Sequence, residues 1–326
     1  MIDWDLVNQR LKFPAISVRI SADLERARQR NIAWMCEHSL LVTAEEINGF
    51  NSWRLPELIA YAFPKAHGKE LDILVDMLGW YTFVDDYFDG PVGHSRISSK
   101  NIIKPMIDTL HNDASDVAGD ISVPVLAAWA DLWHRQTEGM STAWRGRAAK
   151  EWKACLGTFI DESSYRETRS FISTEDLVPL RRHASCLYPF MNMLERVLGD
   201  EVPSLLLDDR EMKYLRAHTA DIATCINDLY SLEREERQGE QFNMVLNLQR
   251  VHGCGRDEAM AATRAKIYQL LDECVQLSSS ITQSYPSSLR YVEGIQAMVN
   301  GIYLWTSKTD RYALPADVGF VSEISK

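Results

Sequence analysis

Residues 71–89 read Leu-Asp-Ile-Leu-Val-Asp-Met-Leu-Gly-Trp-Tyr-Thr-Phe-Val-Asp-Asp-Tyr-Phe-Asp, an apolar run that ends in three carboxylates. A helix with this sequence is apolar over most of its circumference and belongs inside a large core. Its last turn sets Asp85 and Asp89 four residues apart on one face, with Asp86 about 100° away. Carboxylates are rarely buried without a partner. Clustered at the end of a buried helix, they call for a cation, and all-oxygen donors with no His or Cys nearby favour a hard ion such as magnesium. The competing reading is a solvated acidic helix end before the Gly90-Pro91 turn.

A second stretch, 225–240, reads Cys-Ile-Asn-Asp-Leu-Tyr-Ser-Leu-Glu-Arg-Glu-Glu-Arg-Gln-Gly-Glu. Asn227, Ser231 and Glu235 recur every four residues, and a step of four turns a helix by only about 40°, so they form one polar stripe. An amide oxygen, a hydroxyl and a carboxylate in a row can chelate one hard cation. An ordinary amphipathic helix explains Glu235 and Glu236. It explains Asn227 poorly, because Asn is a mediocre helix former and here follows an apolar run. Two such clusters on two helices imply a site between them.

The rest of the chain fits an all-α protein. Ser21 to about His38 reads as one helix, and Thr43-Ala-Glu-Glu46 is a capping-box start for another. Pro56 suits a first helical turn. Helices are expected near 69–89, 99–112, 123–137, 143–169, 174–199, 209–238, 255–283 and 287–307, with loops at 90–98 and 112–122. Alternating strand patterns, internal repeats and low-complexity linkers are absent, so one domain over 1–326 is expected, with residues 1–15 and 313–326 flexible until ligand binds. The 326 residues, 46% hydrophobic and with nine Trp, suffice for a large core.

A net charge of −11 argues against nucleic-acid binding. No apolar run approaches the ~20 residues of a membrane span. The N-terminus carries acids where a secretory segment carries bases. The six scattered Cys read as free thiols of a reducing cytoplasm, which is the expected location. A di-iron bundle would need Glu-x-x-His pairs, and no His has Glu three residues before it.

The pair Asp85-Asp86-x-x-Asp89 and Asn227-Asp228-x-x-Ser231-x-x-x-Glu235 resembles the two metal motifs of class I terpene cyclases, most closely the microbial single-domain branch. Arg181, 46 residues before Asn227, lies where these enzymes place a diphosphate-sensing arginine. Arg311-Tyr312 resembles their C-terminal Arg-Tyr pair. Gly239-Glu240-x-x-Asn243-x-Val245 resembles the segment after the second metal motif, and Arg234 falls where a basic residue is usual. The likeness runs from about residue 13 to 312 and implies a helical bundle around a central active-site cavity.

It implies three magnesium ions, two at the Asp85, Asp86 and Asp89 cluster and one at Asn227, Ser231 and Glu235. Arg181, Arg234, Arg311 and Tyr312 would bind the diphosphate of a linear prenyl substrate, farnesyl diphosphate first and geranylgeranyl diphosphate second. Phe83 and Trp305 would line the pocket, with Trp80, Tyr87 and Phe190 as further candidates, because aromatic faces stabilise carbocations without attacking them. A homodimer is left open. The chain departs from the family at Ala184 and Ser185, where a linker carboxylate and a Gly are common. Either Arg181 or Arg182 could then be the sensor. The alternatives are a chain-elongating prenyltransferase, which usually carries a second Asp-rich motif, and a non-catalytic helical binding protein.

Overall fold

The structure is a computed structural model and describes residues 22–111 and 123–312. Among these residues every regular element is helical. The expected loop at 112–122 and the expected flexible ends at 1–15 and 313–326 lie outside the described residues. The described residues form two compact units, 22–60 with 66–111, 123–170 and 309–312, and 61–65 with 171–308.

The first unit holds α1 (Ala22–Glu37), α2 (Ala44–Ser52), most of α3 (Leu55–Ala62), α4 (Gly68–Asp89), α5 (Arg96–Thr109), α6 (Pro124–Thr137) and α7 (Thr142–Thr168). Helix α2 opens on the expected capping box. Thr43 accepts from the Glu46 amide, and the Glu46 carboxylate accepts from the Thr43 amide at 2.8 Å. Helix α4 is buried on nearly all sides, as its apolar sequence requires. Trp80 on α4 stacks on Trp129 of α6, with ring centroids 4.8 Å apart, and Trp152 of α7 meets both edge-on. All three indole N–H groups are bonded, to the Val125 carbonyl, the Met106 carbonyl and the Gln136 side chain. A buried indole donor left unpaired would cost about 1–3 kcal/mol. Trp80 is thus core, fully enclosed.

Asp76, also fully buried on α4, is bonded by Arg30 and Asn31 of α1 and by Arg135 of α6. These bonds tie the middle of α4 to α1 and α6. The expected loop at 90–98 is more ordered than its sequence suggests. A 3-10 turn covers Pro91–His94, and Ser95 then caps α5 by accepting from the Ser98 amide.

The second unit holds α8 (Thr174–Ala184), α9 (Leu187–Leu198), the short α10 (Ser204–Leu207), α11 (Arg210–Gln238), α12 (Met244–His252), α13 (Arg256–Ser284) and α14 (Leu289–Thr306). The continuous helix expected over 174–199 is broken. Ser185 ends α8, Cys186 takes a left-handed conformation at φ 58°, and α9 starts afresh. Helix α12 was not legible as a helix, being short and directly after the polar 236–243 segment. Gly301 on α14 lets the 61–62 backbone approach closely, since a Cβ there would sit 2.4 Å from the Ala62 nitrogen.

Candidate active site

In the first unit, Asp85, Asp86 and Asp89 each offer a carboxylate oxygen, all within 4.8 Å of one another. This follows from the helix geometry, because Asp85 and Asp89 share a face and Asp86 lies one residue round. Arg311 clamps Asp86 with a bidentate contact at 2.9 and 3.0 Å and lies 3.5 Å from Asp85. Its guanidinium sits over the Trp53 ring at 4.5 Å. Burial works against the Arg311 charge, but Asp86 outweighs it and holds the guanidinium charged.

The three carboxylates therefore differ. Asp86 is 13% exposed and bonded to Arg311 through both oxygens, whereas Asp85 is 46% exposed and meets Arg311 at 3.5 Å. Asp89 is reached by Arg166, which also donates to the Phe88 carbonyl and pairs with Glu162. Neither Arg166 nor Trp53 is marked by a motif. Both act across long sequence separations that no local pattern encodes. Phe83, half-buried, lines a small cleft with Leu40, Leu41, Phe50, Trp53 and Asp86. Tyr87 packs edge-on against Phe88, and Tyr312, half-buried, follows Arg311.

In the second unit, Arg181 donates from Nη2 to the Asn227 side-chain oxygen at 3.2 Å and to Asp228 at 2.5 Å. Arg182 is spent elsewhere, in a bidentate pair with Asp221 at 2.7 and 2.8 Å. Arg181 is thus the one of the two that meets the second motif. The carboxylate that partners Arg181 comes from α11, by way of Asp228, the residue off the Asn227–Ser231–Glu235 stripe. The second Asp228 oxygen accepts from the Met244 amide at 2.8 Å.

Ser231 donates to the Asn227 carbonyl one turn back at 2.7 Å. Glu235 accepts from Asn243 at 2.8 Å. Burial, with the Asp228 charge adding to it, pushes the Glu235 carboxyl up to about 7, against the pull of Arg181, Asn243 and Ser231. Arg234 is half-buried on α11. Trp305 is buried on α14, and Phe190 is buried against Phe63. The helix break at Ser185 leaves that residue at the C-terminus of α8, four residues after Arg181. There the Arg181 and His183 carbonyls accept from the Ser185 and Cys186 amides, and the Arg182 carbonyl accepts from the Ser185 hydroxyl at 2.8 Å.

Each motif thus gathers hard oxygen donors next to a half-buried arginine, an arrangement suited to a cation and a polyanion together. The model of terpene synthase family 2, C-terminal metal binding, matches residues 76–273, a stretch containing both motifs and Arg181. The (−)-β-caryophyllene synthase of Saccharothrix espanaensis is 32% identical over 306 residues, covering 90% of this chain and 86% of that one. Pentalenene synthase of Streptomyces avermitilis is 29% identical over 319 residues, covering 94% and 93%. The crystal structure of linalool/nerolidol synthase from Streptomyces clavuligerus with 2-fluorogeranyl diphosphate superposes with a TM-score of 0.81 at 27% identity, covering 88% of this chain and all of that one.

The chain belongs to terpene synthase family 2. It is a class I terpene synthase of the bacterial type, with the all-α terpenoid fold and a metal-binding region. No described helix is long and apolar enough to cross a membrane.

Proposed function

We propose that the chain uses magnesium to ionise a linear prenyl diphosphate, farnesyl diphosphate in the first place and geranylgeranyl diphosphate in the second, and closes the resulting cation into a cyclic hydrocarbon or alcohol. The observation that carries the reading is the Asp85–Asp86–Asp89 cluster with Arg311 clamped onto it. Its donors are carboxylate oxygens only, which suits a hard divalent ion. The farnesyl preference is supported by relatives named as farnesyl diphosphate cyclising enzymes.

Magnesium, when bound, supplies Lewis-acid neutralisation of the charge that develops on the departing diphosphate. Three ions are proposed, two on the first motif and one on Asn227, Ser231 and Glu235. Asp85, more exposed than Asp86, serves as a direct ligand. Asp86 holds Arg311 in place, so that Arg311 with Tyr312 can add bidentate donors to the diphosphate. Arg181, poised on Asn227 and Asp228, senses the diphosphate near the second motif, and Arg234 adds positive charge. Phe83 and Trp305 are the aromatic side chains proposed to stabilise the cation.

The test is incubation with magnesium and, separately, geranyl, farnesyl and geranylgeranyl diphosphate, followed by gas chromatography–mass spectrometry. A cyclic product from farnesyl diphosphate, abolished by EDTA, is expected. Longer linear diphosphates on addition of isopentenyl diphosphate would overturn the reading in favour of chain elongation.

A further inference from the structure

Helix α12 begins on a residue that does two jobs. Asn243, fully buried, accepts at its side-chain oxygen from the Val245 and Leu246 amides at 2.8 and 3.3 Å and so caps the helix. Its side-chain NH2 faces α11 and donates to the Asp228 carbonyl and to the Glu235 carboxylate, both at 2.8 Å. The whole hydrogen-bonding capacity of that NH2 goes to the second metal motif. The Met244 amide, next in the chain, holds the Asp228 oxygen that Arg181 does not take. One turn on, Asn247, also fully buried, donates to the Ile172 carbonyl at 2.9 Å and accepts from Thr174 at 2.6 Å, at the entrance of the helix that carries Arg181.

We propose that Asn243 is a positioning residue for the second metal motif, which aims the Glu235 carboxylate through its amide NH2. The inference rests on Glu235 being a metal ligand, as argued above. Glu235 is the last residue of the stripe, one turn before α11 ends at Gly239, where a long side chain has many rotamers. A bond from a capping side chain that is itself held by two backbone amides removes that freedom. Partners of this kind change metal affinity by about 10–100-fold when removed.

The cap and the aim can be separated by substitution. Serine caps helices about as well as asparagine but has no NH2 to reach Glu235, and aspartate keeps size and cap while replacing the donor with an acceptor. Asn243→Ser, Asn243→Asp, Glu235→Gln and the Asn243→Ser/Glu235→Gln double variant would be titrated, as full-length proteins, with MgCl2 in the presence of inorganic diphosphate. The readouts are melting temperature and calorimetric heat, with turnover of farnesyl diphosphate measured in parallel.

The expected result is a magnesium half-saturation raised about 10–100-fold in both Asn243 variants and in Glu235→Gln. The double variant should be no worse than Glu235→Gln alone, because both remove one interaction. Three results would overturn the inference. If Glu235→Gln weakens magnesium and neither Asn243 variant does, Asn243 is only a cap. If the Asn243 effect adds fully to that of Glu235→Gln, or shows only as a lower melting temperature without ligand, its role is structural. If Glu235→Gln leaves magnesium binding unchanged, Glu235 is not a ligand and the reading beneath the inference fails with it.

Discussion

Gly93→Ala should damage this protein although alanine is the smaller of all possible changes and Gly93 has no unusual φ. The residue sits in the 3-10 turn after α4, and a Cβ built there would lie 1.7 Å from the Phe88 carbonyl oxygen and 2.7 Å from its carbon. Ordinary contact begins at 3.4 Å, so the turn or the end of α4 must give by about 1.7 Å, against backbone that cannot rotate away. The same Cβ would meet Arg166 Nη1 at 3.2 Å, the arginine that donates to Phe88 and pairs with Asp89.

Overpacking of this kind costs about 1–3 kcal/mol, and for a chain of 326 residues the melting temperature should fall by roughly 1–5 °C. Since the displaced atoms belong to the turn bearing Asp89, the magnesium half-saturation should rise as well. Gly157→Ala supplies the contrast. Nothing lies within 4 Å of a Cβ at that position on α7, so the substitution should stabilise by up to about 1 kcal/mol through helix propensity alone. Differential scanning calorimetry and magnesium titration of the two variants are the assay. A Gly93→Ala protein as stable as its parent would refute the packing argument.

Further outcomes follow from the same contacts. Asp85→Ala and Asn227→Ala should each abolish turnover with little change in melting temperature; retained activity in either would remove that residue from the metal site. Arg181→Gln should abolish product formation, whereas Arg182→Gln should leave Asp221 without its bidentate partner and lower stability by about 1–3 kcal/mol while folded protein still turns over. The reverse pattern would make Arg182 the sensor.

Burial, reinforced by the Arg182 charge, holds His183 below its ordinary value of 6.5. The unfolded chain then takes up this proton more readily than the folded one, so its contribution is full above pH 6.5 and is lost as pH falls through the depressed folded value. Melting temperatures of His183→Gln should therefore decline less steeply on the acid side than those of the parent. Equal slopes would show that this ring does not couple to folding.

Much of this protein was determined locally. The apolar 71–84 run dictated a buried helix, and periods of four on α4 and α11 put Asp85 with Asp89, and Asn227 with Ser231 and Glu235, on common faces whatever the rest of the chain did. The Thr43-x-x-Glu46 box likewise needs only its own four residues. Short-range rules carried these readings because helix geometry is set by residues three and four apart.

Tertiary structure decided how the motif residues are used. Arg311 reaches back 225 positions to Asp86, and Arg166 reaches 77 to Asp89. Arg181 finds its carboxylate at Asp228, 47 residues on. Trp80 stands in the sequence as a further pocket candidate behind Phe83, but the packing of Trp129 and Trp152 makes it core. The break at Ser185-Cys186 and the helix at Met244–His252 also depend on distant contacts, among them Asn243 with Glu235 and Asn247 with Ile172. Such pairings are chosen when helices pack and desolvate each other's charged groups, and no periodicity within one segment contains that choice.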